Sequence, residues 1–403
     1  MLTLDEALAR LLQAVRPLAE RETLSTFDAL GRVLAADVVS LLDVPPEDNT
    51  SMDGYAMRAA DVPAAGTVLP VSQRIPAGVV GLPLQAGTAA RIFTGAQVPA
   101  GADAVVMQEQ CEAVDGGVRV NAIPETGQWV RRRGEDVRRG SVVLAAGTRL
   151  TPQALGMAAS VGAASLSVTR RPRVALFSTG DELLMPGEPL RPGAIYNSNR
   201  FTLRGLLQML GCECIDLGIV GDTLAATRDA LRRAAASADL VLTCGGVSVG
   251  EEDHLRPAVE AEGSLDLWQI AIKPGKPLAF GEVRRGDAAS TAWFIGLPGN
   301  PVSSFVTFVL AVRPVLLRLQ GAVGAPVPAL AARADFDWPR PDRRREFLRV
   351  RRNAGGGLDL FPNQSSGVLS SVVWGDGLVD NPPGQAIRRG DPVRFLPLAE
   401  LLS

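Results

Sequence analysis

The sequence predicts an α/β and β multidomain chain, with a central, doubly wound, mainly parallel α/β domain between β-rich segments. Three observations carry that expectation. Beyond Arg171-Pro172, apolar runs of strand length alternate with helical stretches. Between Val44 and about Arg139 the chain is a series of short β-prone runs separated by glycine and proline. Val327-Pro328 then leads into a last β-rich segment. With 403 residues, 46% hydrophobic and 21% charged, the chain has material for more than one core and is too apolar to stay disordered.

In chain order, Thr3-Leu4-Asp5-Glu6 reads as a capping box, and Leu4, Ala7, Leu8, Leu11, Leu12 and Val15 recur at helical spacing. The chain therefore opens with an amphipathic helix. Candidate strands 67–71, 89–94, 104–108 and 118–121 follow, with Asp115-Gly116 as a hairpin signal. Residues 151–162 are helical in pattern, and this helix and the first are expected to form one substructure that the β-rich insert interrupts. The expected domains are a discontinuous N-terminal domain (1–43 plus 140–170), the insert (44–139), the α/β domain (171–325) and a C-terminal β domain (326–403). Within the α/β domain the expected order is strand 174–177, helix 198–210, strand 214–219, helix 224–236, strand 240–243, helix 254–262, strands 268–272 and 293–295, and helix 302–319. The last domain offers strands 347–351, 358–360, 369–373 and 393–396.

Composition narrows the function. A formal net charge of −2 gives no general attraction for nucleic acid or an anionic membrane, so neither is expected as a partner. The apolar stretch 305–319 is interrupted by Arg313-Pro314 and falls short of the ~20 residues a membrane span needs, so it is read as a buried helix. Residues 1–15 lack the basic start and apolar core of a secretory signal, which makes the cytoplasm the expected location. Cys111, Cys212, Cys214 and Cys244 form no C-x-x-C pair and read as reduced thiols. His254 is the single histidine, and no nucleophile elbow accompanies it.

Open α/β sheets bind ligands beyond the carboxyl ends of their strands. There the sequence places Ser178-Thr179-Gly180-Asp181-Glu182, then Asp222, then Glu251, Glu252 and Asp253. Single acids at such places also serve as helix caps, but recurrence at three strand ends suits Mg²⁺ shared with phosphate. Cys244-Gly245-Gly246-Val247-Ser248-Val249-Gly250 is a glycine turn whose amides can approach an anion. Leu297-Pro298-Gly299-Asn300-Pro301-Val302-Ser303 makes a second turn, at a helix mouth. Against 39 arginines there are two lysines, and both lie in Lys273-Pro274-Gly275-Lys276-Pro277. A compact ammonium is not interchangeable with a guanidinium, so a site that demands lysine resists drift to arginine. Two arginine tracts, around Arg131–Arg139 and Arg340–Arg352, read mainly as solvated faces, with one or two members left to clamp an oxyanion. In the insert, Ser51-Met52-Asp53-Gly54-Tyr55-Ala56 is a site-like string.

These strings, with Phe93-Thr94-Gly95-Ala96 and Gly134-Glu135-Asp136, occur in order over nearly the whole chain and resemble the molybdopterin molybdenumtransferase family, which includes the E domain of gephyrin. The resemblance implies a four-domain, L-shaped subunit in a homodimer, with a molybdopterin-binding α/β domain and a C-terminal β-barrel-like domain. It implies that adenylylated molybdopterin and molybdate react, with Mg²⁺, to give molybdenum cofactor and AMP. On matching positions, Lys273, Lys276, Pro277, Ser303, Arg344 and Ser366 would hold molybdate. Gly180, Gly245, Gly246, Ser248, Gly250, Pro298 and Asn300 would line the pterin and pyrophosphate site. Asp181, Glu182, Asp222 and Asp253 would serve the metal, the last three also the chemistry. Asp53, Thr94 and Asp136 would act from the insert, across the dimer cleft. Further partners implied are the adenylyltransferase of the same pathway and acceptor molybdoenzymes. Cys244 stands where the family commonly has a small hydroxyl residue, Asn197 where aspartate is frequent, and Gln364-Ser365-Ser366-Gly367 departs from the expected glycine-containing form. The competing readings are a nucleotide pyrophosphatase on a similar α/β domain and a non-enzymatic scaffold that binds a partner's loop.

Overall fold

The computed structural model describes residues 1–247, 254–286, 290–324 and 329–402. The first helix, Leu4–Ala14, is capped as expected: the Thr3 hydroxyl accepts the Glu6 N–H at 3.2 Å, and the Glu6 carboxylate accepts the Thr3 N–H at 2.8 Å. Its apolar stripe goes elsewhere than expected. Leu4, Ala7 and Leu11 are buried in one cluster with Leu203, Val306 and Leu316 of the α/β domain. The helix Pro152–Ser160 instead belongs to a separate cluster with Leu34, Val38 and Leu166. The segments flanking the insert do meet, through antiparallel pairing of Arg21–Ser25 with Ser165–Thr169 and of Val38–Val39 with Val142–Leu144.

The insert is a six-stranded sheet in the order Ala104–Met107, Gly54–Met57, Ala89–Ile92, Thr67–Ile75, Gly117–Val120, Cys111–Val114. The site-like string around Asp53 thus runs into a strand. Gly54 has no room for a side chain, because a Cβ there would overlap the Val106 carbonyl oxygen.

The α/β sheet has the order Glu213–Val220, Arg173–Thr179, Leu240–Cys244, Thr291–Leu297, Pro277–Arg284, Gly263–Gln269. The first four strands are parallel, and Pro277–Arg284 runs antiparallel to both its neighbours. Both faces are covered, and side chains along a strand alternate between them. Val174 and Leu176 point to the cluster that includes Leu203 and Leu316, while Ala175 and Phe177 join Ala230, Leu231 and Ala258 on the other side.

In this domain sequence reading and structure part at two places. The strand expected at 268–272 is Gly263–Gln269, and Ile272–Lys273 leaves for the next domain, pairing in parallel with Arg345–Glu346. Pro277–Arg284 was not anticipated, because it interrupts the strand–helix alternation directly after a Pro/Gly turn. The helix expected at 302–319 is there and is buried as expected: Pro301–Leu319 is apolar enough to pass for a membrane span by length and composition, and 72% of that window is buried in the core. It contains a π segment, Phe308–Val312, just before Arg313-Pro314, where proline has no N–H to give back to the preceding turn.

The last domain closes a five-strand barrel: Arg345–Arg352, Gly357–Leu360, Leu330–Ala334, Pro392–Pro397, Gly377–Asn381, and back to Arg345–Arg352. Residues 369–373, expected as a strand, fall on the short helix Ser370–Trp374 instead. That turn brings the buried Ser371 hydroxyl to 3.1 Å from Arg349 Nε and leaves Val373 exposed. The four cysteines are free thiols, as expected.

Candidate active site

A cleft of about 630 Å³ opens beyond the carboxyl ends of Arg173–Thr179, Leu240–Cys244 and Thr291–Leu297. The first strand end gives it Ser178, Thr179, Gly180 and Glu182; the second, Cys244, Gly245 and Gly246; the third, Pro298, Gly299, Asn300 and Ser303. Asp222, Pro277, Asn197, Asn199 and Gly367 complete much of the wall.

The glycine turns are there for close approach. Gly180 has φ +143°, and a Cβ on it would fall 2.5 Å from a Glu182 carboxylate oxygen. Gly245, at φ +97°, would meet the Thr179 carbonyl oxygen at 2.7 Å. Asn199 ties the third turn down, its Nδ2 donating to the Gly299 carbonyl at 2.7 Å and to Cys244 Sγ at 3.0 Å. Burial pushes the Cys244 thiol up to about 11, so it stays protonated and acts as a small hydrogen-bonding wall residue. Three buried polar atoms of the lining, Ser178 Oγ, Thr179 Oγ1 and Asn197 Nδ2, have no hydrogen-bond partner among the described residues. Buried polar groups are ordinarily satisfied, so these atoms are available to a polar ligand in the cleft.

Among the acids, Glu182 and Asp222 face the cleft, and Asp181 stands beside them, its Oδ1 accepting the Asp222 N–H at 3.3 Å. Among the described residues, no three His, Cys, Asp or Glu side chains form a ready metal cage. Asp253, with Glu251, Glu252, Ser248 and Gly250, lies outside the described residues.

The cations gather at one corner. The Lys273–Pro277 turn packs on the helix bearing Ser303: a Cβ at Gly275 would stand 3.4 Å from the Ser303 carbonyl oxygen. Pro277 and Ser303 line the cleft, whereas Lys273, Lys276 and Arg344 stand outside its lining. Lys273 Nζ lies 3.2 Å from Glu346 Oε1 and 3.4 Å from Asp342 Oδ2, and Arg344 forks onto Asp342 with two 3.0 Å bonds. The Ser366 carbonyl accepts the Val302 N–H at 2.9 Å, which brings the barrel's 364–367 loop to the helix mouth. Behind that loop, buried Arg349 donates to the carbonyls of Phe347 and Ser365 and to Ser371, and desolvation lowers it to about 10.

In the insert, Asp53 and Thr94 are bonded to each other. Both the N–H and the hydroxyl of Thr94 donate to Asp53 Oδ1 at 2.7 Å and hold that carboxyl below its ordinary value. Asp136 is exposed, and none of the three lines this chain's cleft. In the first arginine tract, Arg132 and Arg133 are engaged by Asp48 and Asp43.

Sequence reading missed Asn199, Asp342, Glu346 and Arg349. The two asparagines were visible in Tyr196-Asn197-Ser198-Asn199, and the acids stood out only as interruptions of an arginine run.

Fold and cleft define a chain whose α/β domain, open at its strand ends, is set between a composite N-terminal region and a C-terminal barrel. Residues 2–162 match the MoeA N-terminal region (domain I and II), residues 175–318 a probable molybdopterin binding domain, and residues 331–398 the MoeA C-terminal region (domain IV). A molybdopterin molybdenumtransferase of Haemophilus influenzae is 44% identical over 80% of this chain and 78% of its own length. Molybdopterin molybdenumtransferase 2 of Mycobacterium tuberculosis is 38% identical over 94% of each chain. The crystal structure of a molybdopterin biosynthesis moeA protein from Pyrococcus horikoshii superposes with a TM-score of 0.85 at 31% identity, covering 98% of this chain and 100% of its own. The chain belongs to the molybdopterin molybdenumtransferase family.

Proposed function

We propose that this chain is a molybdopterin molybdenumtransferase that inserts molybdate into adenylylated molybdopterin and releases AMP. The observation that carries the reading is the cleft itself: two positive-φ glycine turns, two carboxylates and three buried polar atoms without a partner among the described residues meet at the strand ends. Lys273, Lys276 and Arg344, with Pro277, Ser303 and Ser366, receive the molybdate dianion. The amides of Gly245 and Gly246 and the turn Pro298-Gly299-Asn300 approach the pyrophosphate-linked pterin, joined in this reading by Ser248 and Gly250, which follow in sequence. Glu182 and Asp222 fit Mg²⁺, a hard cation that takes a few carboxylate oxygens and fills its shell with water and phosphate. Asp181 and Asp253 would complete that set. When bound, the ion would neutralise phosphate charge as AMP leaves; the protein's part is positioning and electrostatics.

The same reading makes the protein a cytoplasmic homodimer, in which the insert of one subunit brings its Asp53, Thr94 and Asp136 to the other's cleft. It stands between the adenylyltransferase that makes its substrate and the molybdoenzymes that accept its product. Purified protein given adenylylated molybdopterin, Mg²⁺ and molybdate or tungstate should release AMP and reconstitute an apo molybdoenzyme. A Lys273→Ala/Lys276→Ala variant should lose the molybdate-dependent part of that release. Absence of both products would sink the reading, and AMP release indifferent to molybdate would return it to a nucleotide pyrophosphatase.

A further inference from the structure

The cations assigned to the oxyanion are already engaged by a carboxylate of the protein. Asp342 Oδ1 accepts from Arg344 Nε and from its backbone N–H, each at 3.0 Å, and Oδ2 accepts from Arg344 Nη2 at 3.0 Å and faces Lys273 Nζ at 3.4 Å. The side-on Nε/Nη2 edge of the guanidinium, one of the two with which arginine can grip a tetrahedral dianion, is thus taken. Among the described residues Arg344 Nη1 reaches the Ile272 carbonyl, at 3.4 Å.

The two carboxylates at this corner differ in kind. Glu346 is 1% exposed and is fixed by Trp338 Nε1 at 2.8 Å as well as by Lys273, so it is the built-in counter-charge of that lysine. Asp342 is 24% exposed, belongs to the turn before Arg345–Arg352, and is held by these cations and its own turn. The Arg344 bonds, with help from Lys273, keep its carboxyl well below the ordinary carboxylate range, so it is anionic at neutral pH. Lys273 and Arg344 are therefore neutralised by Glu346 and Asp342, and of the three assigned cations Lys276 is the one with no ion pair among the described residues.

Resting on the molybdate reading of Lys273 and Arg344, we infer that Asp342 is an affinity-setting residue of the oxyanion site: its carboxylate occupies the dianion's place on these two cations and is exchanged for it on binding. Releasing Asp342 to water offsets part of what the dianion gains, so the site binds its oxyanion more weakly than its cations allow. The corner is thereby kept from filling with the commoner tetrahedral anion, sulfate.

Equilibrium dialysis of the full chain against molybdate, with sulfate as competitor, tests this. Asp342→Asn and Asp342→Ala, each checked by thermal melting, should bind molybdate roughly three- to tenfold tighter than the native protein. Both should also become more sensitive to sulfate. Unchanged or weaker molybdate binding in the folded variants would mean that Asp342 merely orients Arg344, and would overturn the inference while leaving the site assignment standing. Native binding by Lys273→Ala/Lys276→Ala would instead remove the oxyanion reading and the inference with it.

Discussion

Gly180 shows how closely single residues are specified at the cleft. Its φ of +143° lies where other residues rarely go, and its missing Cβ is the space that the Glu182 carboxylate uses. Gly180→Ala is therefore expected to strain the turn by about 1–3 kcal/mol and to push Glu182 from its position. AMP release should fall at least tenfold in a protein that still melts cooperatively; a variant with native activity would show that Glu182 is not needed where it stands. Cys244 and Asn199 belong to the same scale. Neither carries charge, and together they tie the mouth of the helix beginning at Pro301 to the glycine turn after Leu240–Cys244.

At the scale of elements, the helices on one face of the sheet are clamped by a carboxylate. Glu262 ends the helix Leu255–Glu262 and accepts from Arg232 at 2.8 and 2.9 Å and from Arg228 at 2.7 Å, both on Leu224–Ser237. The Arg232 and Arg228 guanidinium groups hold its carboxyl down to about 2, against an ordinary 4.5. A folded-state pKa below the unfolded one means stability that is present above pH 4.5 and lost as pH falls from there toward about 2. Glu262→Gln should cost about 1–3 kcal/mol at neutral pH, measured by urea unfolding. The gap between variant and native protein should narrow through that acid window; a gap of constant size would show that the ion pair is not its source.

For the whole molecule, the junction between the α/β domain and the barrel decides where the cations stand. Ile272–Lys273 adds a short parallel strand to the barrel, and Glu346 beneath it accepts from Lys273, Trp338 and, at 3.4 Å, Asn381. Glu346→Ala would strand these donors against a buried gap, at an expected cost of about 2–4 kcal/mol. The urea midpoint should drop, and molybdate binding should change with it, because Lys273 is oriented through this contact. An unchanged midpoint would place the domain tie elsewhere. The first helix is a second tie across the molecule, its Leu11 buried among α/β residues far along the chain.

Much of this was legible in the sequence because it is locally encoded. The alternation of Val174 and Leu176 with Ala175 and Phe177 gives a strand covered on both faces, Thr3 and Glu6 give a capped helix, and Gly180 and Gly245 give turns that only glycine fits. The ordered strings from Ser51 to Ser303 further gave the family and the strand ends where the cleft lies. Tertiary structure alone decided which core receives the stripe of Leu4–Ala14, that Pro277–Arg284 enters the sheet antiparallel, and that residues 370–374 coil to bring Ser371 to Arg349. It alone placed Asp342 and Glu346 on Lys273, some seventy residues away. A sequence pattern records which face of an element is apolar and which backbone angles are allowed; which surface covers that face, and which charge meets which, is settled only when distant segments pack.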